Sequence, residues 1–266
     1  KTILLLMERM KKSKPRIAFL HIPKTAGQSV HHFIAKNYTE EEICPARTND
    51  QLYNYSLNEL EKYKLFSGHL DFSILKNLGH FDETFTILRK PMERILSFYF
   101  YLRKEALRKN VEAPEVDLPL GLKLVKESSL EDYFNNKDRS VAMFINNHYN
   151  NFYSYYIAGG SYNGYEQLSK TNLTEREILS MACMNSSLIS NIYFIDNLGR
   201  LSQEMLAKYG FKDEVIEKIN HNNNNSEKPR EIDMDQLCDG WDWRDKFHQY
   251  TKIDDAFFMF LRAKAN

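Results

Sequence analysis

The chain has 266 residues, 42% hydrophobic and 27% charged, which excludes wholesale disorder and limits it to one large α/β domain or two small domains. Lys+Arg and Asp+Glu both number 36, so the net charge is zero. That argues against a protein that coats nucleic acid or an acidic membrane through a basic excess, and any anion site has to be local. Cys44, Cys183 and Cys238 lie far apart with no CxxC pair, so no structural metal is expected and they read as reduced core thiols, with one disulfide as the alternative. Near the start the longest apolar run, Ile3 to Met7, has five residues. A bilayer span needs about 20, and a signal-peptide core is also longer. A soluble protein is expected.

In chain order, Arg16 to Ile22 is nearly continuously apolar, as a strand covered on both faces should be. It runs through Pro23 to Ser29 into Ser29–Tyr38, where Val30, Phe33, Ile34 and Asn37 recur at helical spacing. Strand, tight turn and helix form the layout of a phosphate-binding βα unit. Tyr63 to Ser67 predicts a second strand, ending at Gly68-His69. Thr84 to Leu88 predicts a third, followed by Arg89-Lys90-Pro91 and a long helix with Ile95, Phe98 and Leu102 on its apolar stripe. A fourth strand is expected over Asn191–Ile195, then a helix from Leu198 to Tyr209 stopped by Gly210. An aromatic-rich helix over Asp254–Ala263 closes the chain. Alternating β and α predicts a central parallel sheet flanked by helices, with ligands at the carboxyl ends of the strands.

Two segments carry chemistry. In Lys24-Thr25-Ala26-Gly27-Gln28-Ser29 a small turn can aim backbone N–H groups at an anion, the helix adds its positive end, and Lys24 adds a mobile cation. It is not a Walker A loop, because Lys24 precedes Gly27. Taken alone it fits a plain strand-to-helix turn equally well. Arg89 ends a buried strand, where an unpaired guanidinium is costly. Ser97 lies eight residues on, about two helical turns, with Glu93 and Tyr101 on its face. Arg89 and Ser97 could close on one phosphate; an Arg89–Glu93 pair is the plain alternative.

Together, His21 to Ser29 resembles the 5′-phosphosulfate loop of the sulfotransferases, and Thr86 to Tyr99 resembles their 3′-phosphate motif. The branch most resembled is that of carbohydrate enzymes similar to heparan sulfate and uronyl 2-O-sulfotransferases. The resemblance implies 3′-phosphoadenosine 5′-phosphosulfate (PAPS) as donor, its desulfated form PAP as product, no metal, and a hydroxyl acceptor that is a carbohydrate. Lys24 would bridge the 5′-phosphate and the departing sulfuryl group. Thr25, Ala26, Gly27, Gln28 and Ser29 would hold the 5′-phosphate, and Arg89 and Ser97 the 3′-phosphate. Asn225 to Arg230 resembles the family's loop over the nucleotide, with Ser226, Lys228 and Arg230 as donor-binding residues, although an Asn-rich linker reads as well. The fold implied is one domain over 1–266, with about 108–190 as a mostly helical acceptor-side insertion.

An alcohol attacking sulfur needs a base. His69 follows a strand and can accept a proton near neutral pH. Its segment resembles the catalytic His-Gly-His of the 2-O-sulfotransferases, with Ser67 in the first histidine's place; a structural histidine at a strand end is the alternative. His21 reads as a hydrogen-bonded core residue, and His31 and His32 as helix-surface groups. Of 16 tyrosines, Tyr149, Tyr153, Tyr155, Tyr156, Tyr162 and Tyr165 crowd into one stretch, which can line an acceptor cleft or simply pack. Arg103, Lys104, Arg108 and Lys109 form either an anionic-glycan patch or a solvated helix end. A nucleotide-dependent kinase and a non-catalytic PAP- or glycan-binding module are the rival readings. For the compartment, a bacterial-type cytoplasmic enzyme is expected, with a Golgi-lumen protein freed of its anchor as the alternative.

Overall fold

A computed structural model describes residues 14–112, 118–212, 216 and 230–265. They fall into two units. One holds the residues up to Ile22, Ala26–Ile87, and those from Ile189 to 216; the other holds Pro23–Thr25, Leu88–Leu188 and 230–265. The strands are β1 (Ile17–Leu20), β2 (Leu65–Gly68), β3 (Glu83–Leu88) and β4 (Asn191–Phe194). Helices of eight residues or more are, in chain order, α1 (Gly27–Ala35), α2 (Pro91–Glu112), α3 (Leu120–Glu127), α4 (Arg139–Tyr149), α5 (Phe152–Gly159), α6 (Glu175–Asn185), α7 (Leu198–Tyr209), α8 (Arg230–Leu237) and α9 (Trp243–Ala265). Among the described residues no helix is long and apolar enough to cross a membrane. All three cysteines are free, and only Cys44 is fully buried.

The first unit is built on a parallel sheet in the order β2-β1-β3-β4. Ile17 lies opposite Leu65 and Glu83, and Leu20 opposite Gly68 and Thr86, so β1 and β2 end together, with His21 and His69 as their next residues, while β3 runs on two residues to Leu88. All four residues of β1 are buried, as its unbroken apolar run requires. The strand stops two residues before the expected end at Ile22, and it begins one residue later than expected because Arg16 has other work. Its N–H donates to Asp82 at 2.7 Å, and its guanidinium collects the carbonyls of Leu60, Tyr63 and Leu78. Phe19 stacks on Phe85 with ring centres 4.8 Å apart, and Val30, Phe33 and Ile34 of α1 join Leu201 and Met205 of α7 in the same core. Burying each such side chain stabilises the fold by about 1.5–3 kcal/mol. α1 begins at Gly27, two residues before the expected start.

In the second unit Pro91 opens α2, where its missing N–H costs nothing, and Ile95, Phe98 and Leu102 are buried as their spacing predicts. The last helix differs from expectation. It starts at Trp243, eleven residues early, because Trp243, Phe247, Tyr250, Asp254, Phe257 and Leu261 form one buried stripe at steps of three and four. Asp254 interrupted that stripe in the sequence. Its carboxylate in fact accepts the N–H groups of Tyr153 (3.1 Å) and Ser154 (2.8 Å) and the Ser154 hydroxyl (2.7 Å). Burial, opposed by those hydrogen bonds and by Arg94, pushes its pKa up to about 6. Tyr149, Tyr153 and Tyr156 are core residues, buried to 2% exposure or less, so packing wins over a cleft for them. In the basic run, Arg108 is held by Glu105 and Glu112, so the patch is partly neutralised.

Candidate active site

The loop between β1 and α1 owes its shape to two non-glycine residues with left-handed backbone, Lys24 (φ 71°) and Ala26 (φ 66°). Such a conformation costs roughly 1–2 kcal/mol per residue and persists where the surroundings over-determine it. Between them Thr25 is fully buried, and Ser29 is buried at 7% exposure. Ala26 stands at the N-cap of α1 and has no side-chain oxygen to cap it. The helix start therefore presents backbone N–H groups of the kind that receive an anion. Gly27 is needed for space rather than for φ: a Cβ there would lie 1.7 Å from Nε2 of His21.

His21 links this loop to His69 at the next strand end. Their rings stack with centres 4.6 Å apart, and Nδ1 of His69 lies 2.7 Å from the carbonyl oxygen of His21. A carbonyl can only accept, so Nδ1 carries the proton and Nε2 is the basic nitrogen. The backbone is fixed as well. His69 N–H donates to the Arg47 carbonyl at 2.7 Å through a parallel bridge between Thr48 and His69, and a Cβ on Gly68 would lie 2.4 Å from that oxygen. Burial, with help from the Arg47 charge, holds His69 below the ordinary imidazole value; the hydrogen bond to His21 opposes it. His31 is not the surface group expected. Its Nδ1 lies 3.0 Å from the Arg47 guanidinium, and burial with that charge lowers it to about 4. His32 is exposed as expected, and His21 is half-buried rather than core.

The second unit carries the other candidate residues. The Lys24 ammonium sits 4.2 Å from the ring centre of Tyr101, one helical turn beyond Ser97, so Lys24 reaches the face of α2 that bears Ser97. Ser97 is buried at 3% exposure. Arg89 Nε donates to Glu93 at 3.0 Å, the pair that sequence reasoning offered as the plain alternative. The Arg89 peptide is held by the Tyr153 phenol, which accepts its N–H at 3.2 Å and donates to its carbonyl at 2.9 Å. Ser226 and Lys228 lie outside the described residues. Arg230 opens α8, and its side chain lies outside them.

Thus Lys24, Thr25, Arg89 and Ser97 belong to one unit, and Ala26, Gly27, Gln28, Ser29 and His69 to the other, with the loop as one covalent run. Sequence reasoning placed Tyr101 on the face of Ser97 and Tyr153 in the tyrosine-rich stretch, but missed the partners of both and the parts played by His21, His31 and Arg47.

The model of the Sulfotransferase family matches residues 9–253, most of the chain. A protein-tyrosine sulfotransferase of Arabidopsis thaliana is 36% identical over 97 residues, which is 36% of this chain and 19% of that protein. The chain therefore spans about a fifth of the length of that relative. The kinase reading does not survive a family match of this extent. Strand–loop–helix, sheet order and family match agree, and the chain belongs to the sulfotransferase family.

Proposed function

We propose that this protein transfers a sulfuryl group from PAPS to a hydroxyl acceptor, with His69 as the general base. The observation that carries the reading is the His21–Gly27–His69 constellation, which sets an imidazole of fixed tautomer beside the phosphate-type loop. The acceptor oxygen forms its bond to sulfur as the bond from sulfur to the 5′-phosphate oxygen breaks. The acceptor proton goes to Nε2 of His69, and PAP departs with the electron pair on its phosphate oxygen. Lys24 stabilises that developing charge, the loop N–H groups hold the 5′-phosphate, and Arg89 and Ser97 hold the 3′-phosphate. Ser226, Lys228 and Arg230 add to the donor site, and the helical segment 108–190 carries the acceptor side.

The resemblance to the 2-O-sulfotransferases supports a sugar hydroxyl as acceptor. The 97-residue likeness to a protein-tyrosine sulfotransferase supports a second reading, a tyrosine phenol in a peptide. Parallel assays with radiolabelled PAPS, glycan acceptors and tyrosine peptides separate the two. Labelling of neither would leave a PAP-binding module.

Donor identity is tested by thermal shift. At about 100-fold excess over Kd a ligand of the folded state adds roughly 2.7 kcal/mol. PAP is expected to stabilise strongly and ADP weakly, with Arg89→Ala erasing the difference. A larger shift with Mg-ATP, or none with PAP, overturns the assignment.

The base is tested by the pH dependence of kcat/KM. Because burial disfavours the His69 imidazolium, the neutral, proton-accepting form persists below the ordinary imidazole value of 6.5. The acid limb is therefore expected below about 6.5, and His69→Ala is expected to remove it while lowering the rate about 10²–10⁴-fold. A limb unchanged in His69→Ala would mean another group takes the proton.

A further inference from the structure

We propose that Tyr153 is a positioning residue that sets discrimination for the 3′-phosphate by fixing the peptide of Arg89; this rests on the donor reading above. Arg89 is the first residue beyond β3, where ladder partners end and its backbone groups must find others. One phenolic oxygen meets both. It accepts the N–H at 3.2 Å and donates to the carbonyl at 2.9 Å, across 64 residues of chain.

Tyr153 is itself held from several sides. Its side chain is fully buried, its N–H donates to Asp254 at 3.1 Å, and the Arg94 guanidinium lies 5.6 Å from its ring centre. The phenol has one place to be, so the Arg89 peptide does too. Further out, Nε of Arg89 donates to Glu93 at 3.0 Å, which holds the guanidinium plane in one orientation. Root and plane are then both set before any nucleotide arrives, and preorganisation of this kind converts directly into affinity for the group recognised. A phenol that merely packed the core would leave no such mark on ligand choice.

The test is calorimetric titration of wild type and Tyr153→Phe with PAP and with adenosine 5′-monophosphate, which is PAP without the 3′-phosphate. Tyr153→Phe keeps the ring and removes the oxygen. It is expected to weaken PAP about tenfold, the loss of one well-placed interaction, and to leave the monophosphate within about twofold. In an Arg89→Ala background the same change should cost PAP nothing further. A parallel loss for both ligands, no loss for either, or an undiminished loss of PAP affinity in the Arg89→Ala background overturns the inference. If Tyr153→Phe does not fold, Asp254→Asn loosens the same anchor without touching the phenol and is read by the same ratio, with a smaller expected fall. Wild-type protein that binds PAP no tighter than the monophosphate removes the donor reading itself, and the inference with it.

Discussion

Replacing Lys24 with alanine is expected to lower kcat about 10²–10³-fold, the usual cost of deleting one preorganised donor at the site of developing charge. Charge appears on the 5′-phosphate oxygen only as the bond to sulfur breaks, so the ammonium acts chiefly in the transition state. The KM for PAPS should then move less than kcat. The alternative is that Lys24 shapes the loop, since its backbone has φ of 71°. Lys24→Gly separates the two, because glycine takes that conformation without the roughly 1–2 kcal/mol steric cost. If the charge matters, Lys24→Gly is as slow as Lys24→Ala although its loop is less strained. Lys24→Arg keeps the charge and the contact with a ring face but replaces a compact ammonium with a planar fork, so partial recovery is expected. Single-turnover rates with saturating PAPS provide the measurement. A Lys24→Ala enzyme with wild-type kcat would remove the lysine from the chemistry.

The parts of this site that were legible in the sequence are those carried on one short run of chain. Lys24 to Ser29 and Arg89 to Ser97 are contiguous, and strand-to-helix turns advertise themselves through an apolar run, small residues and Pro91. What escaped depends on pairing between distant segments. Arg47 reaches His69 only because Thr48 forms a parallel bridge with it, and no local pattern encodes such a register. His31 was misread for the same reason: on α1 it looks solvent-facing until Arg47 arrives from another segment. Tyr153 lay in a run legible as tyrosine-rich, but its partner was 64 residues away. The early start of α9 was hidden by Asp254, a carboxylate within an apolar stripe, whose partners Tyr153 and Ser154 lie about 100 residues upstream. Each miss is a polar group whose partner is remote in sequence, whereas apolar periodicity is local and could be read directly.

Asn151→Gly is expected to cost about 3–6 kcal/mol, a large part of the 5–15 kcal/mol that keeps a typical domain folded. Asn151 is 3% exposed, left-handed (φ 45°, ψ 47°), and inserted against α9. Its Oδ1 accepts the N–H groups of Ile253 (2.7 Å) and Asp254 (3.0 Å), its Nδ2 donates to the Gln249 carbonyl (3.2 Å), and its own N–H donates to the Tyr250 carbonyl (2.6 Å). These four helix groups are the ones an uninterrupted ladder would pair with one another. Glycine retains the backbone donor and suits the left-handed conformation, so the loss isolates the side-chain amide. Asn151→Ala should lose about 1 kcal/mol more through strain. Two donors and one acceptor are stripped of the amide at once, each at about 1–3 kcal/mol when buried. The ladder could recover them only by closing on itself, and that requires expelling the chain at Asn151. The adjoining Tyr153 and Ser154 resist, since their N–H groups are bound to Asp254 on the same helix. At roughly 2–4 °C per kcal/mol, thermal unfolding should come about 6–24 °C earlier. A shift under about 2 °C would mean that the helix heals and the amide is dispensable. The contrast with Tyr153→Phe separates anchoring from recognition: two residues apart on one segment, Asn151 governs whether α9 holds the segment at all, and the Tyr153 phenol governs what the held segment does to Arg89.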